Sequence, residues 1–242
     1  MLKRILDTLR ALAFYAGYTV ITVVWGTLSV LIAWAIPYRA RFAFIIGAWT
    51  RMVLGWLRLC CGIRHEVEGR EHIPDRACIV FVKHESTWET AFVQTLFAPQ
   101  ATLIKRELLL IPFFGWAYRL LKPIAIDRND ARGALRTLIR SGKDRINQNI
   151  WVVLFPEGTR VPVGHSRPFQ AGGAALAQAS GAPVIVVAHN AADVWPAHQL
   201  RKRAGVVRVK ISPPIVTTDK KAKEINQLAQ SWLAGAMAEL RP

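Results

Sequence analysis

Between Arg10 and Arg39 the chain runs for 28 consecutive residues without a charged side chain. At about 1.5 Å per residue a helix of that length reaches about 42 Å, more than the roughly 30 Å of a bilayer's hydrocarbon core. A secretory signal peptide has a shorter apolar region, about 7–15 residues, ending in small residues at a cleavage site. Here Trp34, Pro37 and Tyr38 stand at the end instead. The stretch is therefore expected to be a retained hydrophobic helix that anchors the chain in a membrane. A second apolar segment, residues 42–61, carries Arg51 and Arg58 on one helical face, with Phe44, Ile45, Trp49, Met52, Val53, Leu54 and Trp56 around the rest. That pattern predicts a helix lying in the headgroup layer.

Charge narrows the partner. The 242 residues include 32 Lys or Arg against 16 Asp or Glu, a net +16, yet 52% of them are hydrophobic. Such apolar content excludes a disordered basic tail and leaves a basic globular body that meets something anionic, either nucleic acid or a lipid surface. Residues 1–61 hold seven basic side chains and one acid, Asp7. Each basic group near an anionic bilayer contributes about 1 kcal/mol of attraction. With no nucleic-acid motif in the chain, the expectation is membrane lipid and no nucleic acid. Lys3, Arg4 and Arg10 balance Arg39 and Arg41 across the first helix too evenly to set its orientation. A second basic cluster (Arg201, Lys202, Arg203, Arg208, Lys210, Lys220, Lys221, Lys223) reads as a surface for anionic lipid or an acidic carrier protein, or as a solvated face. The three cysteines, Cys60, Cys61 and Cys78, are too few for a disulfide scaffold and suit reduced thiols in a cytosol-facing protein.

From Gly62 onward, short β-branched runs at 78–83, 101–105, 123–127, 150–155, 183–188 and 205–211 alternate with helical stretches at 87–96, 107–121, 130–147, 169–180 and 219–240. This alternation predicts an α/β domain with a mostly parallel central sheet flanked by helices, preceded by the N-terminal hydrophobic anchor. The division is expected near residues 61–63: membrane-anchoring helices over 1–61 and the α/β domain over 62–242.

The chemically capable residues fall at the ends of the runs. Parallel α/β sheets bind ligands outside the carboxyl ends of their strands, so these groups should converge on one rim. His84 follows the first run, with Glu89 one helical turn later: a base and a carboxylate to orient it. Ser86 and Glu89 also have the spacing of a capping box, in which Glu89 would bond the Ser86 amide. Lys105 and Arg106 end the second run, offering cations to a phosphate. Pro156-Glu157-Gly158-Thr159-Arg160 follows the fourth: Gly158 permits close backbone approach, Arg160 offers a planar fork of donors, and Glu157 suits a substrate hydroxyl or a bond to Arg160. The aromatic loop Pro112-Phe113-Phe114-Gly115-Trp116 suits lipid, an acyl channel or the core. His189, after the fifth run, reads first as a packing residue. No cluster has the spacing of a metal site.

Taken together and in this order, these blocks resemble the glycerolipid acyltransferase family, of the bacterial 1-acyl-glycerol-3-phosphate acyltransferase type. The resemblance covers roughly residues 78–189. It implies that His84 is the base of a His-x4-Asp signature in which this chain carries Glu89 in place of Asp. It also implies that Lys105, with Arg106 beside it and Gly115 downstream, and Glu157, Gly158, Thr159 and Arg160 bind the acceptor's glycerol phosphate. Where many relatives have Phe-Lys-x-Gly, this chain has Phe169-Gln170-Ala171-Gly172, one cation fewer. The implied reaction is direct acyl transfer from acyl-CoA or acyl carrier protein to the sn-2 hydroxyl of lysophosphatidic acid, without metal or organic cofactor. The implied place is a bacterial inner membrane, with the catalytic domain at the cytoplasmic face. Another acceptor (glycerol 3-phosphate, a lyso-ornithine lipid, another lysophospholipid) and a non-catalytic membrane-bound scaffold are the competing readings.

Overall fold

Each of the six apolar runs becomes a strand in the computed structural model, which describes residues 2–241. A seventh strand comes from a segment that gave no apolar signal. The elements, in chain order, begin with α1 (Leu2–Ile32) and α2 (Tyr38–Cys61, with a π-helical turn over Ala43–Gly47). They continue with β1 (Ile63–Glu68), β2 (Ile79–Val82), α3 (Trp88–Phe92), β3 (Gln100–Lys105), α4 (Phe114–Arg119) and β4 (Ile124–Ile126). The remainder is α5 (Ala131–Asn147), β5 (Trp151–Leu154), α6 (Ala171–Ser180), β6 (Val184–His189), β7 (Gly205–Ile211) and α7 (Ala222–Leu240).

The seven strands form one sheet in the order β1-β7-β6-β2-β5-β3-β4. Every neighbouring pair is parallel except β6 with β7. The expected mostly parallel sheet is therefore present, with one antiparallel step. Residue alternation sorts the core onto two faces. Val80, Val82, Val153, Ile185 and Val187 pack toward α1 and α2 together with Phe14, Ile45, Trp49 and Leu57. Ile79, Phe81, Val152, Leu154, Val184 and Val186 pack toward α5, α6 and α7 with Leu138, Leu176, Ile225 and Leu233.

The helix expected over 107–121 is interrupted. Residues 106–110 make a 3-10 turn, Pro112 follows, and Phe113 takes φ 61° before α4 begins. Proline lacks the amide that would continue the ladder, and a positive φ turns the chain out of it.

Both α1 and α2 are long and apolar enough to cross a membrane. They run antiparallel: the indole of Trp56 donates to the carbonyl of Ala13 at 3.2 Å, Trp49 to the Thr22 hydroxyl at 3.1 Å, and Trp25 to Phe44 at 3.0 Å. The apolar face of α2 is thus spent on α1 and the sheet, rather than left open as a headgroup-layer helix would leave it. Arg51 and Arg58 are exposed, as their spacing suggested. On α1 the outward side chains Leu9, Leu12, Val20, Val24 and Leu31 remain exposed, as does Trp34 just beyond it. The loop before α4 adds Leu110 and Ile111, and α4 itself adds Trp116.

Lys202 departs from the reading of its cluster as a surface. Its ammonium lies 3.8 Å from the ring centroid of Tyr15, 4.5 Å from Trp195 and 4.9 Å from Phe14, and donates to the Leu200 carbonyl at 3.1 Å. Three aromatic faces attract a cation that water no longer reaches. Burial pushes this ammonium down to about 8. The cage fastens α1 to the loop between β6 and β7.

Candidate active site

His84, Glu157, Lys105 and Asp127 all sit just past, or at, the carboxyl ends of parallel strands, and so share one rim. Phe81 of β2 is level with Leu154 of β5, which puts His84 level with Glu157. Thr102 of β3 is level with Val153, which puts Lys105 level with Pro156. Two inter-strand spacings, about 10 Å, therefore separate the histidine's strand from the lysine's.

The imidazole Nδ1 of His84 lies 2.8 Å from Glu89 Oε1. A carboxylate only accepts, so Nδ1 carries the proton in this bond and the lone pair resides on Nε2. Nε2 has no hydrogen-bond partner among the described residues. Phe155 stacks on the ring at 4.3 Å between centroids, fixing its plane. Glu89 Oε1 also accepts from the amides of Ser86 at 3.0 Å and Glu85 at 3.2 Å. The capping-box bond and the histidine bond thus coexist on one oxygen. Burial alone would raise this carboxyl, but the His84 hydrogen bond, the imidazoles of His189 and His84 and the Ser86 amide hold it below the usual carboxylate range.

The turn that presents His84 is held from several sides. The Ser86 hydroxyl donates to the Trp195 carbonyl at 2.6 Å. His189 Nε2 lies 2.8 Å from the Lys83 carbonyl, while the Ala191 amide donates to its Nδ1. His189 is a structural pin, as its strand context suggested. Glu85 is buried; Arg241 grips its two oxygens at 2.8 and 3.0 Å, and the Ala192 amide donates to it at 3.0 Å.

Glu157 requires a correction. It was expected to meet the substrate or hold Arg160; instead it is buried, accepting from the Lys83 ammonium at 2.6 Å and from the His84 amide at 2.9 Å. A residue so engaged stabilises the turn that presents His84. Arg160 donates through Nε to the Ser86 carbonyl at 2.9 Å, which orients the rest of its guanidinium at the rim. Gly158 has φ 74°, and a Cβ there would come within 2.3 Å of the Gln170 amide nitrogen. The residue that replaces the expected cation therefore packs over the glycine. Thr159 is exposed beside it. Lys105 is exposed and free of ion pairs among the described residues; Arg106 makes a 3.4 Å contact with Asp127. Gly115 is buried where a Cβ would press on the Leu108 and Leu109 backbone, at 2.5 and 2.7 Å, a packing role.

Sequence reasoning assigned no role to Lys83, Glu85, Arg128, Trp195 or Arg241. Arg128 donates to the Gly158 carbonyl at 2.7 Å, bringing a further cation to the glycine turn. Its position after the third run was the available signal, as it was for His84, Lys105 and Arg160 after theirs. Arg241 gave no signal.

Residues 64–212 match the family model described as Acyltransferase. The chain is 43% identical over 239 residues to a 1-acyl-sn-glycerol-3-phosphate acyltransferase of Pseudomonas aeruginosa, covering 98% of this chain and 93% of that one. It is 31% identical over 220 residues to one from Limnanthes alba, covering 89% and 76%. Its fold superposes on the crystal structure of the 1-acyl-sn-glycerophosphate acyltransferase of Thermotoga maritima with TM-score 0.83 and 26% identity, over 98% and 97% of the two chains. A His–carboxylate pair set on the rim of this fold, joined to those matches, leads to one conclusion: the chain belongs to the acyltransferase family.

Proposed function

We propose that this protein transfers a fatty acyl group from an acyl thioester to the sn-2 hydroxyl of 1-acyl-glycerol-3-phosphate, making phosphatidic acid. The observation that carries the reading is the 2.8 Å bond from His84 Nδ1 to the buried Glu89, which leaves Nε2 as the acceptor of a proton. The lipid hydroxyl gives its proton to Nε2 as its oxygen attacks the thioester carbonyl. Glu89 stabilises the imidazolium so formed. The tetrahedral intermediate collapses, the C–S bond breaks, and the departing thiolate takes the proton back from the imidazolium. Oxygen esters form here at the expense of a thioester, so neither metal nor organic cofactor is called for; the donor is acyl-CoA or acyl carrier protein.

Lys105, Arg106 and Arg160 supply cations for the glycerol phosphate, with Gly158 and Thr159 shaping the turn and Arg128 supporting it. The exposed apolar side chains of α1, Leu110, Ile111 and Trp116 support seating at a membrane, residues 1–61 acting as the anchor. His84 stacks on Phe155, which packs against the cluster shared with α1 and α2. A lipid acceptor would thus approach from the membrane-facing side, at the cytoplasmic face of a bacterial inner membrane.

The test is an acceptor panel: purified protein with 1-acyl-glycerol-3-phosphate, glycerol 3-phosphate, a lyso-ornithine lipid and lysophosphatidylcholine, each with both thioester donors. Phosphatidic acid formed from the first acceptor is the expected product. Acylation of only another acceptor would overturn the substrate assignment, and no acylation of any would return the chain to the scaffold reading.

A further inference from the structure

The proposed reaction joins a lipid to a molecule whose headgroup is water-soluble, and the sheet separates two environments suited to them. His84 continues the face of Val80 and Val82, packed against the apolar helices α1 and α2. Lys83 continues the face of Ile79 and Phe81, toward α6 and α7. On that second face, at the same rim, lies a cavity of about 580 Å³. The loop from Pro162 to Phe169 forms one wall and α7 the other, while Lys83, Glu85, Glu157 and Arg241 line its inner end. Its size is that of a small-molecule site, typically about 300–1,000 Å³. A protein partner would instead need about 800 Å² of open surface.

We propose that this cavity holds the nucleotide end of an acyl-CoA donor, whose pantetheine arm crosses the rim between β2 and β5 to bring the thioester to His84. This assignment rests on the acyl-transfer reading. The inner acids are already neutralised: Glu157 by Lys83 at 2.6 Å, and Glu85 by Arg241 at 2.8 Å. The unspent charge is Arg167, exposed in the loop and without an ion-pair partner among the described residues, next to the donors of His165 and Ser166. A guanidinium with adjacent hydroxyl and imidazole groups suits phosphate oxygens. Phe169 and Met237 supply apolar wall for a base. Glu157 links cavity to chemistry, since one of its oxygens holds Lys83 on the cavity side and the other accepts the His84 amide at 2.9 Å. The outer face of α7 shows Lys223 and Gln227 to solvent, so a soluble donor approaches opposite to the lipid.

The experiment compares acyl-CoA with S-acyl-pantetheine, which has the same thioester but no phosphates, in wild type, Arg167→Ala and Ala234→Trp. Ala234 lines the cavity from an exposed position on α7, so tryptophan fills the space without entering the core. The readout is the ratio of kcat/KM for the two donors, which cancels any loss common to both. Wild type should prefer acyl-CoA strongly. The preference should fall about tenfold or more in Arg167→Ala, as expected for one charge-assisted contact, and further in Ala234→Trp. A ratio unchanged in both variants, or a wild type indifferent to the nucleotide, would overturn the assignment. So would turnover confined to acyl carrier protein, with acyl transfer itself left standing. Absence of acylation by wild type with every donor would instead sink the acyl-transfer reading on which the assignment rests.

Discussion

Replacing Glu89 by glutamine removes the charge behind His84 while keeping nearly the same shape. The amide oxygen of glutamine can still accept the Ser86 and Glu85 amides, now at 3.0 and 3.2 Å, so the turn should hold. What is lost is the attraction between a carboxylate and the imidazolium formed during transfer. At the 2.8 Å separation of His84 Nδ1 and Glu89 Oε1, and an effective dielectric of about 20, two unit charges interact by about 6 kcal/mol. The neutral amide retains part of that as an ordinary hydrogen bond of about 1 kcal/mol. Reorganisation recovers some of the rest, so about 3–5 kcal/mol should be lost from the transition state, a fall in kcat of about 10²–10⁴. Glu89 is buried and touches no rim surface, so KM for the lysolipid should change little. The assay is release of free thiol from acyl-CoA, followed with saturating 1-acyl-glycerol-3-phosphate, and thermal unfolding monitored in parallel. A variant that folds like wild type and keeps half its kcat would refute the orienting role. Glu89→Asp asks a related question: the carboxylate withdraws by about 1.5 Å, opening the bond unless α3 shifts, and kcat should fall by about tenfold.

Three further outcomes follow from the packing. Glu157→Ala leaves Lys83 charged and unpaired in the interior; losing one member of a buried pair costs about 3–5 kcal/mol, so the melting temperature should drop by about 10 °C, and an unchanged melt would contradict the inward role. Lys105→Ala, at an exposed side chain, should leave stability within about 0.5 kcal/mol while raising KM for the phosphate-bearing acceptor; an unchanged KM would remove Lys105 from the site. The third concerns Lys202, whose ammonium is held near 8 in the fold against 10.5 ordinarily. Between those values the unfolded chain binds more protons, so stability contributed by this group rises with pH. The stability difference between wild type and Lys202→Met should therefore move in favour of wild type from pH 8 to pH 10, as read by denaturant unfolding in detergent. A constant difference would mean that burial does not depress the ammonium.

Much of this architecture is legible because parallel strands buried on both faces must be apolar throughout, and their carboxyl ends then share a rim. β1 escaped notice for the complementary reason. Ile63–Glu68 is a largely exposed edge strand carrying Arg64, His65, Glu66 and Glu68, so it has no apolar run to read. The break before α4 was marked by Pro112, but the positive φ of Phe113 leaves no trace in a phenylalanine. At the site, spacing brought out His84 and Glu89, and the contacts belonging to both readings of Glu89 are present together because one carboxylate oxygen accepts three donors. Spacing could not say which way a charged side chain turns. Glu157 points inward because β2 and β5 are neighbours, a pairing of residues 73 and 74 positions apart. Lys202 belongs to a basic cluster in sequence and to an aromatic cage in space, and only the packing of α1 distinguishes them. The clasp of Arg241 on Glu85, across 156 residues, depends wholly on where α7 ends.

The central claim is that His84 takes the proton from the acceptor hydroxyl. Its most direct test is formation of phosphatidic acid from 1-acyl-glycerol-3-phosphate and an acyl thioester by purified wild type and His84→Ala, at saturating acceptor. Loss of a positioned general base should lower kcat by about 10²–10⁴, with the product unchanged in identity and the melting curve close to wild type. A correctly folded His84→Ala protein that makes phosphatidic acid at a rate near that of wild type would contradict the account.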